Sequence, residues 1–568
     1  DNMKKFLALL LAAAMTLVLA GCAQKADQPE QGASVTTEET TELANASETS
    51  GNLWTIDVLT DTILGESSID TTVGKKLAED FGIAFNFSTY SGDLLEKQAL
   101  MLAGGDYNEI QYMQGQTMVQ KYIDAGALLN LDDYNDFLPD FYEKFADVIP
   151  IWRTAAKDGG LYKWEVSTPR ELTCEYPHYD IMVRTDVLEY YGYPELVSAS
   201  DWIEFLEKAV QDFPTATDGQ ATVGLTVPLA ESWGMSGMPG IGFEKGSTYL
   251  YCGDDYFVFN VKTNRFEDYM MCPEVKESYQ FFNTLYNKGL LDEESFTDLG
   301  DQTCEKMNTG KAIAVWYVSW YNQTANNSLT AAGYPDTQYI EMPFQLDSQV
   351  GDARNCPVIN SYPYMSYGIT KNCSDPERFC KFLNWCCTDE GQLLLQSGVK
   401  SVHYTIENGI RVPTELRMQC SKDIEIAKQE GLGDATFFYR CLPLFWVDAD
   451  DGQPYNLYND QKYKDSLSLS DGQKKAVEGL GWKSSNAWWD ENLNGIKVGY
   501  TRSCALDPAT DLGKIGAKMI EARSKYSANL ILTDNFDAEW STLVDEYSKL
   551  DYQSVIDEMN RLYESYTK

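Results

Sequence analysis

Between Leu53 and Met113 the chain switches back and forth between a strand pattern and a helix pattern, and this constrains the fold more than any other feature. Leu53-Trp54-Thr55-Ile56-Asp57-Val58-Leu59 alternates apolar and polar residues, the period of a half-buried strand. Thr60 to Ser68 reads as a polar loop. Thr71 to Phe81 then sets Val73, Leu77 and Phe81 four apart and stops at Gly82, a helix with a glycine exit. Ile83 to Phe87 is a second strand, Leu94 to Ala103 a second helix stopped by Gly104-Gly105, and Ile110 to Met113 a third strand. Strands joined through helices pair in parallel, because the crossover returns the chain to the same end of the sheet, and the helices cover its faces. The class is therefore α/β with a mostly parallel sheet.

At 568 residues the chain is too long for one core, and two domains of ordinary size with additions are expected. Against 86 acidic residues stand 45 basic ones, a net charge of −41. Such a surface repels nucleic acid and does not dock on anionic headgroups by charge. Tyr (36) and Trp (13) are plentiful for so polar a chain, and both give a cleft an apolar face with a polar tip. The 13 cysteines form no C-x-x-C pair; their scatter reads as free, buried thiols acting as small apolar residues. With only His178 and His403, the sequence argues against a histidine-rich zinc site, and a Ser-His-Asp site would have to use one of these two. No G-x-S-x-G elbow, Walker loop or H-E-x-x-H helix is present.

The first 22 residues are a targeting segment. Met3 reads as the start, Lys4 and Lys5 give a positive head, and Phe6 to Ala20 is apolar or small apart from Thr16. Those 15 residues fall short of the ~20 that span a bilayer. Leu19-Ala20-Gly21-Cys22 resembles the lipobox of bacterial lipoproteins, which implies acylation (palmitate) at Cys22 and cleavage before it. Residues 23–52, rich in Thr, Ser, Glu, Ala and Gln, bury too little to fold and read as a disordered tether.

Further along, a series of strings resembles the extracellular solute-binding proteins of ABC importers, in family order. These are Met101 to Met113 (MLAGGDYNEIQYM), Tyr122 to Tyr134 with its Gly126-Ala127-Leu128 core, and Asp158-Gly159-Gly160-Leu161-Tyr162-Lys163-Trp164. Met182 to Leu188, Ser200 to Leu206, Phe281 to Phe296, Thr309 to Ala314, Ile369 to Gln396 and Phe536 to Tyr566 continue the series. The resembling subgroup is that of large lipoproteins associated with oligosaccharides.

The resemblance implies a two-lobed, periplasmic-binding-protein-like (type II) fold with a central cleft and a hinge. Its implied layout is a signal peptide at 1–22, a tether at 23–52, one lobe from 53–165 and 343–391, and another from 166–342 and 392–568. It implies a monomer on the outer face of the cytoplasmic membrane of a Gram-positive bacterium, held there by lipid alone. That monomer captures an oligosaccharide and delivers it to a permease, and it is not an enzyme. A surface glycosidase or lyase, and a peptide or amino-acid binder of the same fold, are the alternatives. Trp320, Trp233 and Trp164 are each either a sugar-stacking ring or core, and Trp446 is a weaker candidate of the same kind. Asp61 and Gln114 follow strands at their carboxyl ends, where ligands gather. Arg184 either grips a ligand carboxylate or holds Asp186. No cofactor is expected. Calcium, bound by some relatives, finds no carboxylate ladder in Asp212 to Leu225, and Asp448, Asp450 and Asp451 read as an acidic turn.

Overall fold

The computed structural model describes residues 53–60, 67–88, 90, 93–165, 180–231, 233–250, 257–316, 321–357, 365–432, 441–445, 448–457, 469–496 and 500–568. Among these, the strands in chain order are β1 (Trp54–Leu59), β2 (Ile83–Ser88), β3 (Ile110–Met113), β4 (Trp164–Glu165), β5 (Ile181–Arg184) and β6 (Val223–Thr226). They continue with β7 (Tyr249–Leu250), β8 (Phe257–Asn260), β9 (Arg265–Asp268), β10 (Ala312–Trp316), β11 (Tyr339–Met342) and β12 (Arg354–Pro357). The last are β13 (Ser366–Ile369), β14 (Tyr404–Glu407), β15 (Ile410–Pro413) and β16 (Leu493–Ile496).

The opening follows its periodicity. The helix Thr72–Phe81 is capped by Thr71, whose hydroxyl accepts from the Gly74 N–H at 2.9 Å, and ends at Gly82 with φ +62°. The helix Leu94–Gly104 is capped by Asp93 and ends at Gly105 with φ +70°. Both exits are left-handed, the conformation in which a Cβ is penalised and glycine is not. β1 then pairs in parallel with β2 and, on its other side, with β3.

The finished first sheet has the order β2-β1-β3-β13-β4, and the second β11-β5-β10-β6. In each, one strand runs against the others: β13 in the first and β5 in the second. Both sheets are covered on two faces. Ile56, Val58, Phe85 and Tyr367 bury one face of the first against Phe141, Trp152, Phe379 and Phe382; Met113 and Leu128 bury the other against Val119 and Tyr122. In the second sheet Ile181, Val183, Leu225 and Trp316 pack on Trp202, Phe281 and Phe282, while Met182, Val315 and Tyr339 pack on Met307 and Leu329. A third core joins β7-β8-β9 to the helices Asp511–Leu532, Phe536–Tyr547 and Tyr552–Thr567 through Phe257, Phe266, Tyr279, Tyr526 and Tyr547.

Core membership locates where the chain changes halves: between Glu165 and Asp180, between Pro357 and Met365, and between Leu457 and Ser470. The second and third changes come later than the expected 343 and 391. Phe344 and Leu346 are buried in the second core, whereas Leu395, Leu432, Leu442 and Tyr455 are buried in the first. Side-chain amides fasten that later stretch: Gln392 Nε2 donates to the Pro443 carbonyl at 2.9 Å and Gln396 Nε2 to that of Phe445 at 2.8 Å. Among the described cysteines ten are free and eight of these are buried.

Candidate functional site

The direction of the odd strands identifies the edge that matters. β4 leaves the first sheet at the end where β3 also finishes, since both Glu165 and Met113 lie opposite Ser366. The chain next appears as β5, whose first residue, Ile181, lies opposite Trp316 at the end of β10 and Met342 at the end of β11. A chain that crosses between sheets enters the new one at the edge where the other strands finish, so the entering strand runs backwards. β13 enters the first sheet the same way after 358–364. Apart from β5 and β13, which enter there, the strands present their carboxyl ends at these edges, the place where loops converge on ligands in open α/β sheets.

Each edge carries a buried charged cluster. On the first, Lys163 Nζ donates to Glu165 Oε1 at 2.6 Å and to Ser366 Oγ at 3.2 Å, and lies 3.4 Å from Gln116 Oε1. Both charged groups are at most 2 % exposed. On the second, the fully buried Asp180 takes Arg354 Nη1 at 2.7 Å and Trp489 Nε1 at 2.9 Å on one oxygen. Lys245 Nζ stands 3.2 Å from the other oxygen, an ion contact without hydrogen-bond geometry. Burial alone would raise Asp180, but the Arg354 and Lys245 charges and the indole N–H outweigh it and hold the carboxyl below its usual range. Glu341, which accepts the Asp180 N–H at 3.2 Å, is pushed up to about 8 by burial and then by the Asp180 charge.

The residues singled out from sequence scatter over this frame. Gln114 sits half-buried directly after β3, on the first edge. Trp233 is 36 % exposed in the loop that leaves β6 on the second edge. Trp164 is not available to a ligand: it is fully buried, donates to the Cys441 carbonyl at 3.0 Å and stacks on Tyr367. Alternation along β4 puts Trp164 into the core and its neighbours Lys163 and Glu165 on the opposite face. Arg184 lies at the far end of β5, opposite Tyr339, and chelates Asp186 at 3.0 and 2.6 Å while donating to the Gly310 carbonyl at 2.8 Å. It holds the outer edge of the second sheet together. Asp61, Trp320, Trp446 and Cys22 lie outside the described residues.

The acidic turns are internally engaged. Asp451 grips Arg411 at 2.7 and 3.0 Å, and Asp212 accepts from the Tyr191 hydroxyl at 2.7 Å. Among the described residues no group of three or more acids, histidines or cysteines could hold a metal ion, and no helix is long and apolar enough to cross a membrane. His403 is a satisfied internal residue: Nδ1 accepts from the Val399 N–H at 2.8 Å and Nε2 lies 3.0 Å from Glu430. Two cavities, of about 310 Å³ beside β9 and about 420 Å³ beside β6, are lined by none of the residues that end strands at the two edges. Between the halves, Gln323 Nε2 donates to the Ser421 carbonyl at 2.6 Å.

No family model matches the chain, and no curated protein does. Solved structures do. An extracellular solute-binding protein from Bifidobacterium longum subsp. infantis superposes with a TM-score of 0.63 at 15% identity, covering 92% of this chain and 100% of that one. This is the two-lobed fold of the extracellular solute-binding proteins of ABC importers. Two further solute-binding structures agree: the alginate-binding protein AlgQ2 (TM-score 0.59, 16% identity, 91% and 99% covered) and the N-glycan transport protein NgtS from Streptococcus pneumoniae (TM-score 0.58, 12% identity, 91% and 99% covered). Sequence reading missed Lys163, Glu165, Asp180 and Lys245, the buried charged groups at the two sheet edges. The available signal was their position beside the first crossover and the charge pair flanking Trp164.

Proposed function

We propose that this protein is a lipid-anchored extracellular solute-binding protein that closes its two lobes on an oligosaccharide and presents it to an ABC permease. The observation that supports this most directly is the fold, shared over nine-tenths of the chain with proteins named for binding alginate and transporting N-glycans. The edges supply part of the chemistry a sugar needs: the partly exposed Trp233 indole for a C–H face and the half-buried Gln114 amide for hydroxyls, with the buried ion clusters bracing the strand ends behind them. Closure follows ligand only if the ligand touches both lobes, because a guest bound equally by open and closed forms shifts nothing. The lipid at Cys22 is the proposed anchor, with the chain acting as a monomer.

The test is calorimetry of the purified chain against alginate oligosaccharide, kestose, Man5GlcNAc and a set of short peptides. A saturable heat with a glycan and none with peptides is expected. A peptide heat, or release of reducing ends from the glycans, would overturn the reading.

A further inference from the structure

The loop that carries Trp233 is fastened along its whole length to a single neighbouring stretch. Starting at β6, Asp292 N–H donates to the Leu225 carbonyl at 2.8 Å, and Thr226 Oγ1 donates to Asp292 Oδ2 at 3.0 Å. Val227 N–H donates to Ser295 Oγ at 3.0 Å, Leu229 N–H to the Ser295 carbonyl at 3.1 Å, and Ala230 N–H to the Asp298 carbonyl at 3.2 Å. Glu231 Oε1 accepts from Gly300 N–H at 2.8 Å, while its carbonyl accepts from Gly234 N–H at 2.8 Å, which closes the turn around Trp233.

Behind this ladder stands Lys306, only 7 % exposed. Its Nζ lies 2.5 Å from Asp292 Oδ2 and 3.0 Å from Glu294 Oε2, and it is also bonded to Asp298. Burial would lower its pKa, yet the three carboxylates raise it, so Lys306 stays charged. A buried ion cluster of this kind adds little net stability over a packed apolar group, because desolvation cancels most of the attraction. What it fixes is geometry: one ammonium bonded to Asp292 and Asp298 holds both ends of the stretch whose backbone grips 225–230.

We propose that Lys306 is a positioning residue for the ligand-binding loop, setting Trp233 against the guest through Asp292 and Asp298. The inference rests on the carbohydrate reading above, and its test separates the two. Hydrogen exchange needs no ligand: in Lys306→Met the amides of Val227, Leu229, Ala230 and Gly234 should exchange at least tenfold faster, while those of β1 keep their rates. Lys306→Arg should restore protection in part. Unchanged exchange in Lys306→Met overturns the proposal, whatever the protein binds. Calorimetry with alginate oligosaccharide, kestose and Man5GlcNAc then reads the coupling. Lys306→Met should weaken glycan binding about tenfold in the parent, and hardly at all when Trp233→Ala is already present. An equal loss in both backgrounds would mean that Lys306 acts on something other than the ring, which also refutes the proposal. Fast loop exchange in a protein whose parent form binds none of the three glycans would leave Lys306 a positioning residue and remove the carbohydrate reading instead.

Discussion

Asp180 is the first described residue after the first crossover, and its carboxylate gathers groups from three other parts of the chain. Arg354 stands on β12, just before the second crossover; Lys245 follows the Trp233 loop; Trp489 precedes β16, the parallel partner of β12. The second lobe's connections are thus riveted at one buried charge. Replacing Asp180 with Asn keeps the shape and can still accept the indole N–H, but it removes the shared negative charge from Arg354 and Lys245, the latter keeping Glu244 at 3.4 Å. Breaking a buried pair by removing one partner costs about 3–5 kcal/mol, and the conservative change puts this variant near 3. For a unit of about 280 residues, at ~2.1 cal/mol/K of unfolding entropy per residue, each kcal/mol moves the midpoint by about 1.7 °C, so the second-lobe transition should fall by roughly 5 °C. Differential scanning calorimetry of the ligand-free protein reads this directly. The first-lobe transition should stay in place, because Asp180 touches none of the first core. Adding Lys245→Met to Asp180→Asn should recover part of the loss, since it removes one of the two buried cations that Asp180 faced. A midpoint within 1 °C of the parent, or a shift of both lobes together, would refute the idea that this cluster is a mutually dependent unit of the second lobe.

Glu341 supplies a pH signature. Its folded pKa is raised to about 8 against an ordinary value near 4.5, so the folded state holds a proton that the unfolded state releases across that window. Stability should therefore fall as pH rises from about 4.5 to 8, by at most about 1.4 kcal/mol per unit, and Glu341→Gln should flatten that slope in urea titrations. A slope unchanged by the substitution would exclude Glu341 as its source. Trp164→Ala should cost about 3–5 kcal/mol of first-lobe stability by opening a core void, and leave glycan affinity near the parent value at low temperature. An affinity loss above tenfold without a stability loss would return Trp164 to the cleft. The buried thiols of Cys380, Cys386, Cys387 and Cys441 are pushed well up by burial, so they should react slowly with a thiol reagent until the protein is denatured without reductant. Appearance of the full complement only after reduction would reveal disulfides and contradict the free-thiol arrangement.

The first sheet was largely readable because its signals are local. Alternation marks β1, four-residue spacing marks the helix Thr72–Phe81, and Gly82 and Gly105 mark the exits at the residues where the chain turns left-handed. The charged clusters at the sheet edges were not readable, because their members meet only through topology: Asp180 and Trp489 are 309 positions apart. Nor does the sequence say which end of a strand faces the crossover. Taking the residue after a strand as the one at the crossover edge locates Gln114 there, because β3 runs with the majority of its sheet. The same rule fails for Arg184, because β5 begins at the crossover edge and finishes at the outer one. For a strand entered from a crossover the informative residue is the one before it, and that residue in the second lobe is Asp180. The same logic points to Met365 and Ser366 at the head of β13, and Ser366 is indeed the hydroxyl that completes the Lys163 cluster. Strand polarity relative to the crossovers, rather than residue type, decides which residue of each strand stands at the crossover edge.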